Sequence, residues 1–181
     1  MEHLYKEIVP ALLYWYDYNA RILPWRSEPT PYRVWVSEIM LQQTRVEAVK
    51  PYYDRFMDAL PDVRALSEVD DDKLMKLWEG LGYYNRARNL KTAAQTVMEE
   101  YGGEIPDTYE ELLKLKGIGE YTAGAIASIA CKRPVPAVDG NVLRVVARLL
   151  ANGDDILKQS TKRFMTQEIM NIIPEDRPGD F

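Results

Sequence analysis

Leu115-Lys116-Gly117-Ile118-Gly119-Glu120-Tyr121-Thr122-Ala123 is the stretch on which this sequence turns. One helical pattern ends at Lys116 and another begins at Glu120, so the chain reverses within Gly-Ile-Gly. Glycine at both ends permits positive φ and lets a second backbone come close. Ile118, between them, is expected to point inward and anchor the turn. The next helix starts at once, which leaves free N–H groups and the positive end of its dipole facing outward. Such groups hold a phosphate oxygen without a large positive charge. The plainer alternative is a tight helix–helix connection with a glycine C-cap. For the tripeptide alone that alternative carries more weight.

Outward from this turn the periodicity is helical almost throughout. Upstream, Thr108 with Glu111 forms a capping-box pattern for a helix over 109–115. Residues 84–101 read as a long helix stopped by Gly102-Gly103, and Asp70 is a good N-cap for a helix over 71–79. Residues 62–67 read as one short turn. A helix over 44–60 carries Pro51, which predicts a kink or a late start. Residues 32–43 form a helix that is apolar nearly all round, with Arg33 and Ser37 as its expected solvent stripe. The first helix, over 3–19, places Leu4, Ile8, Leu12, Trp15 and Tyr16 on one side. Downstream lie a helix over 120–131, a loop with Pro134 and Pro136, and a helix over 141–151. A last helix runs to Ile173 from an expected N-cap at Ser160. No run reads as a strand, although residues 135–138 form a short extended piece. The fold class is therefore all-α, with about ten helices.

The 181 residues are enough to bury a sizeable core without disulfide or metal staples. Four Trp, twelve Tyr and three Phe exclude long disorder. No apolar run approaches the ~18 residues of a membrane span. Residues 1–7 lack a basic and an apolar signal-peptide region, so a cytoplasmic location is expected, nucleoid-associated if the source is bacterial. Cys131 is the only cysteine and His3 the only histidine. These counts exclude a disulfide framework, a Cys-rich zinc or iron–sulfur site within this chain, and a His-based triad. Catalysis has to come from carboxylates, Tyr, Lys or Ser. The net charge of −5 is concentrated. The windows 54–72 and 99–111 carry −5 and −6, which leaves +6 for the rest, enough for a basic face.

Three further stretches carry candidate chemistry. In Val34-Trp35-Val36-Ser37-Glu38-Ile39-Met40-Leu41 a carboxylate stands among apolar residues. A desolvated Glu holds its proton towards neutral pH, as a general acid must. The alternative is a surface or capping Glu. In Val138-Asp139-Gly140-Asn141 the Asp is a good N-cap for the helix that follows. A carboxylate held by backbone N–H groups is favoured as the anion, which also suits it to face a developing cation. Finally, Gly80-Leu81-Gly82-Tyr83-Tyr84-Asn85-Arg86-Ala87-Arg88 and Leu41-Gln42-Gln43-Thr44 combine Gly-flanked aromatics with amides. Such residues can wedge into a base stack, while Arg86, Arg88 and Lys91 meet phosphates. The alternative is a glycine loop, core tyrosines and an ordinary basic helix face.

Read together, these strings resemble a known family. The Leu-x-Gly-Ile-Gly-x-Tyr-Thr-Ala string resembles a helix-hairpin-helix DNA-binding motif. Leu23-Pro24-Trp25-Arg26, Pro31-Tyr32, the Ser37–Thr44 run, Gly80-Leu81-Gly82-Tyr83-Tyr84, Gly117-Ile118-Gly119 and Asp139-Gly140-Asn141, in that order, resemble the A/G-specific adenine DNA glycosylases of the MutY type. The resemblance covers nearly the whole chain. It implies a helix-hairpin-helix glycosylase fold, a two-part helical structure with the active site in a cleft. Residues 1–28 and 140–181 are expected to form part of a second lobe. The implied partner is double-stranded DNA carrying adenine opposite 8-oxoguanine or guanine, with no membrane and no small-molecule cofactor. By the match, Glu38 falls on the acid that protonates adenine at N7, and Asp139 on the carboxylate that stabilises the oxocarbenium sugar and assists attack at C1′. Asn141 and Tyr121 fall on supporting polar positions. Trp25, Arg26 and Leu41 fall on the adenine pocket. Gln43, Thr44, Leu81 and Tyr83 fall on positions that penetrate the duplex, while Gly117 and Gly119 fall on the hairpin that meets the backbone.

The resemblance also implies a four-cysteine 4Fe–4S loop and a further domain beyond residue 181. Neither is in this sequence, which therefore reads as a fragment. The cluster is expected only in a longer protein, and no metal site is expected here. The helices at 12–16 and 164–173, which would pack on that missing part, are expected to expose apolar surface. Three other readings compete. A bifunctional lyase resembling endonuclease III uses a Lys just after the hairpin, where Tyr121 stands. A thymine mismatch glycosylase of the same fold is disfavoured by Glu38 in its Gln-Gln-Thr context. A helical DNA-binding module without catalysis is the third.

Overall fold

The computed structural model describes residues 2–181, with side chains from Glu7 onward. Its eleven α-helices are α1 (Glu2–Asn19), α2 (Pro24–Ser27), α3 (Pro31–Leu41), α4 (Val46–Ala59), α5 (Val63–Glu68), α6 (Asp71–Trp78), α7 (Asn85–Glu100), α8 (Tyr109–Leu112), α9 (Glu120–Ala125), α10 (Gly140–Leu149) and α11 (Gln159–Met170). Among the described residues there is no strand, as the periodicity predicts.

The fold is built around α3. Thr30 caps it by accepting from the Arg33 N–H, and Pro31 occupies its first turn. Every residue from Val34 to Met40 is buried. A helix apolar on all sides needs neighbours on all sides, and α3 contacts α2, α4, α7 and α9. Ser37 is not on a solvent stripe: it is fully buried, and its hydroxyl donates to Val34 O at 2.8 Å. A small hydroxyl that bonds its own helix backbone tolerates such a site. Arg33 does reach the surface, where it pairs with Glu28.

One apolar cluster runs from Trp25 to Ala127, with Trp35, Phe56, Trp78 and Leu90 at its centre. Leu143, Met165 and Ile169 are buried outside it, where α10 packs against α11. Asp62 and Asp70 cap α5 and α6 as expected. Helix α4 begins at Val46 and continues through Pro51 instead of starting after it. The capping box at α8 is half formed. Thr108 accepts from the Glu111 N–H, but the Glu111 carboxylate turns to Tyr101 and Lys114, and the helix ends at Leu112. Ser160 lies inside α11, whose N-cap is Lys158.

Helix α9 continues as a π-helical turn over Ile126–Ala130. Two glycines govern what packs there. A Cβ on Gly124 would lie 2.3 Å from Pro136 O, and one on Gly179 would lie 2.7 Å from Ile129 Cα. The extended loop before Asp139 and the C-terminal segment can therefore press directly on this helix. On α1, the Leu4 side chain lies outside the described residues. Ile8, Leu12 and Tyr16 are half-buried, but Trp15 is 56% exposed, contrary to its expected inward face. Tyr14, Tyr18, Phe164 and Met170 are exposed too, so the expected apolar surface on α1 and α11 is present.

Candidate active site

Asp139 is delivered by the extended loop that Gly124 admits, and it caps α10. Its Oδ1 accepts from the N–H groups of Asn141 at 2.9 Å and Val142 at 2.8 Å. Its Oδ2 accepts from the Asn141 side-chain amide at 2.9 Å. The Asn141 carbonyl oxygen in turn accepts from Arg144. The carboxylate is thus held by three donors.

Glu38 reaches the same place from α3. It is 7% exposed. Burial pushes its carboxyl above the usual carboxylate range; the Arg26 guanidinium and a hydrogen bond from Tyr121 oppose this, and the negative charge of Asp139 adds to it. Burial, with the negative charges of Glu38 and Asp139, also pushes the Tyr121 phenol upward, so Tyr121 is a donor. Residues from α2, α3, α9 and the α10 cap therefore converge: Arg26, Glu38, Tyr121 and Asp139. Arg26 is held by a bond from Nη1 to Gly179 O at 3.0 Å.

Two cavities meet at this group. One, of about 370 Å³, is lined by Tyr109, Glu120, Tyr121, Asp139 and Lys162 among others. The second, of about 320 Å³, is lined by Arg26, Tyr121, Asp139, Ile169 and Phe181 among others. Tyr121, Pro136 and Asp139 line both. Glu38 itself lines neither cavity and lies behind Tyr121, which lines both. A buried acid within electrostatic reach of a fixed carboxylate at a cavity wall suits acid-assisted departure of a group from a carbon that becomes cationic.

Other expected site residues are placed differently. Trp25 is 2% exposed and meets Tyr53 edge-to-face at 5.2 Å, so it belongs to the core and lines neither cavity. Leu41 is half-buried against the same core. Leu81 is only 7% exposed and packs inward, because it closes the turn over the apolar cluster. Gln43 and Tyr83 are exposed, and Thr44 is half-buried. Both exposed residues adopt positive φ, 58° and 48°. They flank a cleft of about 360 Å³ with Gln42, Tyr84 and Asn89.

Arg86 does not face outward. Its Nη1 donates to Ile39 O, Met40 O and Gln42 O, and its Nη2 to Leu81 O and Gly82 O. The orphan carbonyls at the end of α3 attract it more than solvent does. Lys91 pairs with Asp71, while Arg88 stays exposed beside Asn85. In the hairpin only Gly117 uses positive φ, at 83°. Gly119 is extended, and a Cβ there would meet open space. Ile118 is buried in the core, as expected.

Residues 36–174 match the family described as HhH-GPD superfamily base excision DNA repair protein. The chain belongs to this family. It is 42% identical to an adenine DNA glycosylase of Mus musculus over 194 residues, covering 99% of this chain and 38% of that protein. It is likewise 42% identical to an adenine DNA glycosylase of Arabidopsis thaliana over 202 residues, covering 97% and 32%. The chain thus spans under half the length of these curated relatives. Among solved structures it resembles a thermostable thymine-DNA glycosylase, with a TM-score of 0.88, 25% identity, and coverage of 99% of this chain and 83% of that one.

An iron–sulfur cluster of the kind expected for longer relatives does not fit the residues of this family member. Cys131 is its sole thiol, half-buried at the end of the π-turn, and the described residues contain no cluster of metal-ligating side chains. Sequence reasoning missed the part played by the C-terminal segment, in which Gly179 anchors Arg26 and Phe181 lines a cavity. Contacts separated by 153 residues leave no local pattern in the sequence.

Proposed function

We propose that this chain hydrolyses the N-glycosidic bond of adenine mispaired with 8-oxoguanine or guanine in double-stranded DNA. The observation that carries this reading is the buried Glu38 beside Tyr121, within electrostatic reach of Asp139 fixed on its helix cap. Adenine leaves poorly unless protonated. Glu38, whose carboxyl burial pushes above its ordinary range, donates its proton to N7. The C1′–N9 electron pair departs with the base, and the Asp139 carboxylate faces the cationic sugar. Water adds at C1′ and loses a proton, which leaves an abasic strand. The adenine must first leave the stack, at a cost of a few kcal/mol. Tyr121 stands where a Lys would form a Schiff base, so the strand stays intact. The relatives named as adenine DNA glycosylases support the substrate class.

In the same reading, residues 1–28 and 140–181 form the second wall of the cleft. The α10–α11 packing and the bidentate pairing of Arg177 with Asp17 support it. The deciding experiment is single-turnover excision on duplexes carrying adenine opposite 8-oxoguanine, guanine, cytosine or thymine. We expect release opposite the first two, strand cleavage only after alkali, and loss of excision in Glu38→Gln with duplex affinity kept within about tenfold. Duplex binding with no base release would make the chain a DNA-binding module without catalysis. Borohydride trapping of an enzyme–DNA adduct would make it a lyase.

A further inference from the structure

Arg86 joins two segments that are far apart in sequence and side by side in space. Its Nη1 donates to Ile39 O at 2.7 Å, Met40 O at 3.1 Å and Gln42 O at 2.7 Å. Its Nη2 donates to Leu81 O at 3.0 Å and Gly82 O at 3.2 Å. The guanidinium lies 5.4 Å from the Trp78 ring centre and 5.6 Å from that of Tyr83. One planar cation therefore binds the end of α3 and the turn before α7, with two aromatic rings close by.

The position is informative. Arg86 lies in the first turn of α7, where a cation is disfavoured by that helix's own dipole, and it serves the C-terminus of α3, where a cation is favoured. Two of the five bound carbonyls, one in each loop, sit next to a strained residue. Gln43 follows Gln42, and Tyr83 follows Gly82; both have positive φ and exposed side chains. Backbone in that region is disfavoured for a residue with a side chain and persists only where its surroundings impose it. The imposing contact is common to the two loops. Trp78 reinforces it through an Nε1 bond to Gly82 O at 3.1 Å.

We propose that Arg86 is a positioning residue that locks the 42–44 and 81–84 loops into one rigid wedge, so that Gln43 and Tyr83 enter a base stack together. The wedge role rests on the proposed glycosylase function; the mechanical coupling of the two loops does not. A preformed wedge spares the enzyme the ordering of two loops at the moment of unstacking. Lysine cannot replace this residue, because three donors on one nitrogen cannot span five carbonyls on two segments.

The test uses Arg86→Lys in two measurements. The first is amide hydrogen exchange in the free protein. Coupling predicts faster exchange in both loops at once, with the α7 core from Leu90 to Val97 unchanged. Faster exchange in one loop only, no change in either, or loss of protection throughout α7 overturns the coupling. The second is single-turnover excision on paired and unpaired adenine. The variant should lose about tenfold or more on adenine in a mispaired duplex, yet stay within about threefold of the parent on adenine in an unpaired bubble, where unstacking is largely done. Equal losses on both substrates, or no loss on the duplex, overturn the wedge role. A parent chain that excises adenine from neither substrate refutes the proposed function, and hydrogen exchange alone then decides whether Arg86 couples the loops.

Discussion

Gly117 backs directly onto Asn89. Its φ is +83°, and a Cβ at this position would lie 2.9 Å from the Asn89 Cβ. The hairpin is therefore seated on α7 through a contact that no other residue type allows. The same α7 carries Arg86, so the hairpin and the paired loops share one support.

Gly117→Ala is accordingly predicted to be destabilising. Left-handed backbone costs an L-residue roughly 1–2 kcal/mol, and the clash with Asn89 adds to it. We expect a loss of about 2–3 kcal/mol in urea unfolding. Gly119→Ala is the control, since its backbone is extended and its Cβ would meet open space. Equal stability of the two variants would show that the hairpin is not seated as described.

Asp139→Asn separates capping from chemistry. Asparagine caps about as well as aspartate, so the two backbone bonds survive. The bond from the Asn141 amide to Oδ2 is lost, a change of about 1 kcal/mol. Excision should nevertheless fall by orders of magnitude, since the cationic sugar would face a neutral amide. A folded variant with parental excision would leave Asp139 only its cap.

The part of this architecture that is legible in the sequence is the part set by local rules. Asp62, Asp70, Thr108 and Asp139 cap helices because short polar side chains before an apolar run do so in any context. Ile118 was readable as an anchor because the glycines around it left no other apolar residue in the turn. The apolar run around Glu38 leaves a buried acid and a surface or capping Glu both open, and the motif it belongs to, not the run, favours the acid. Direction within a buried helix was not legible. Ser37 looked like a solvent-stripe residue and is fully buried, because a serine satisfied by its own helix carries no surface signal. Arg86 looked like a phosphate ligand because it shares a basic run with Arg88 and Lys91. Three of its five partners are carbonyls 44 to 47 residues upstream, invisible to any local pattern. Leu81 and Trp25 matched motif positions, but burial against the apolar cluster decides where they point.

Arg26→Gln is predicted to move the pH dependence of excision. The Arg26 charge favours the Glu38 anion and so lowers the carboxyl's pKa. Removing it raises that pKa further, so the protonated acid persists to higher pH. The basic limb of the single-turnover profile should shift upward, whatever happens to the maximal rate through the lost bond to Gly179. A basic limb that stays in place would mean that Glu38 and Arg26 are not electrostatically coupled, or that Glu38 is not the acid.

Glu38 should also register in stability without any DNA. Its carboxyl pKa is raised in the folded protein, chiefly by burial, from an ordinary value of 4.5. The folded chain thus binds this proton more tightly than the unfolded chain does. Between the two pKa values stability falls as pH rises, and above the folded value the full cost of a buried anion is present. Below the ordinary value both states are protonated and that cost is absent. Glu38→Gln keeps the shape and an acceptor for Tyr121 but cannot ionise. Its unfolding free energy should therefore exceed the parent's at pH 8, and the gap should shrink towards zero as pH falls through the raised pKa to about 4. Parallel urea titrations of both proteins across this range measure the gap directly. A constant offset at every pH would mean that the folded protein does not shift this carboxyl. A gap that widened towards acid would mean that the anion is the favoured form, held by Arg26 and Tyr121, and Glu38 would then lack the proton that the proposed chemistry requires.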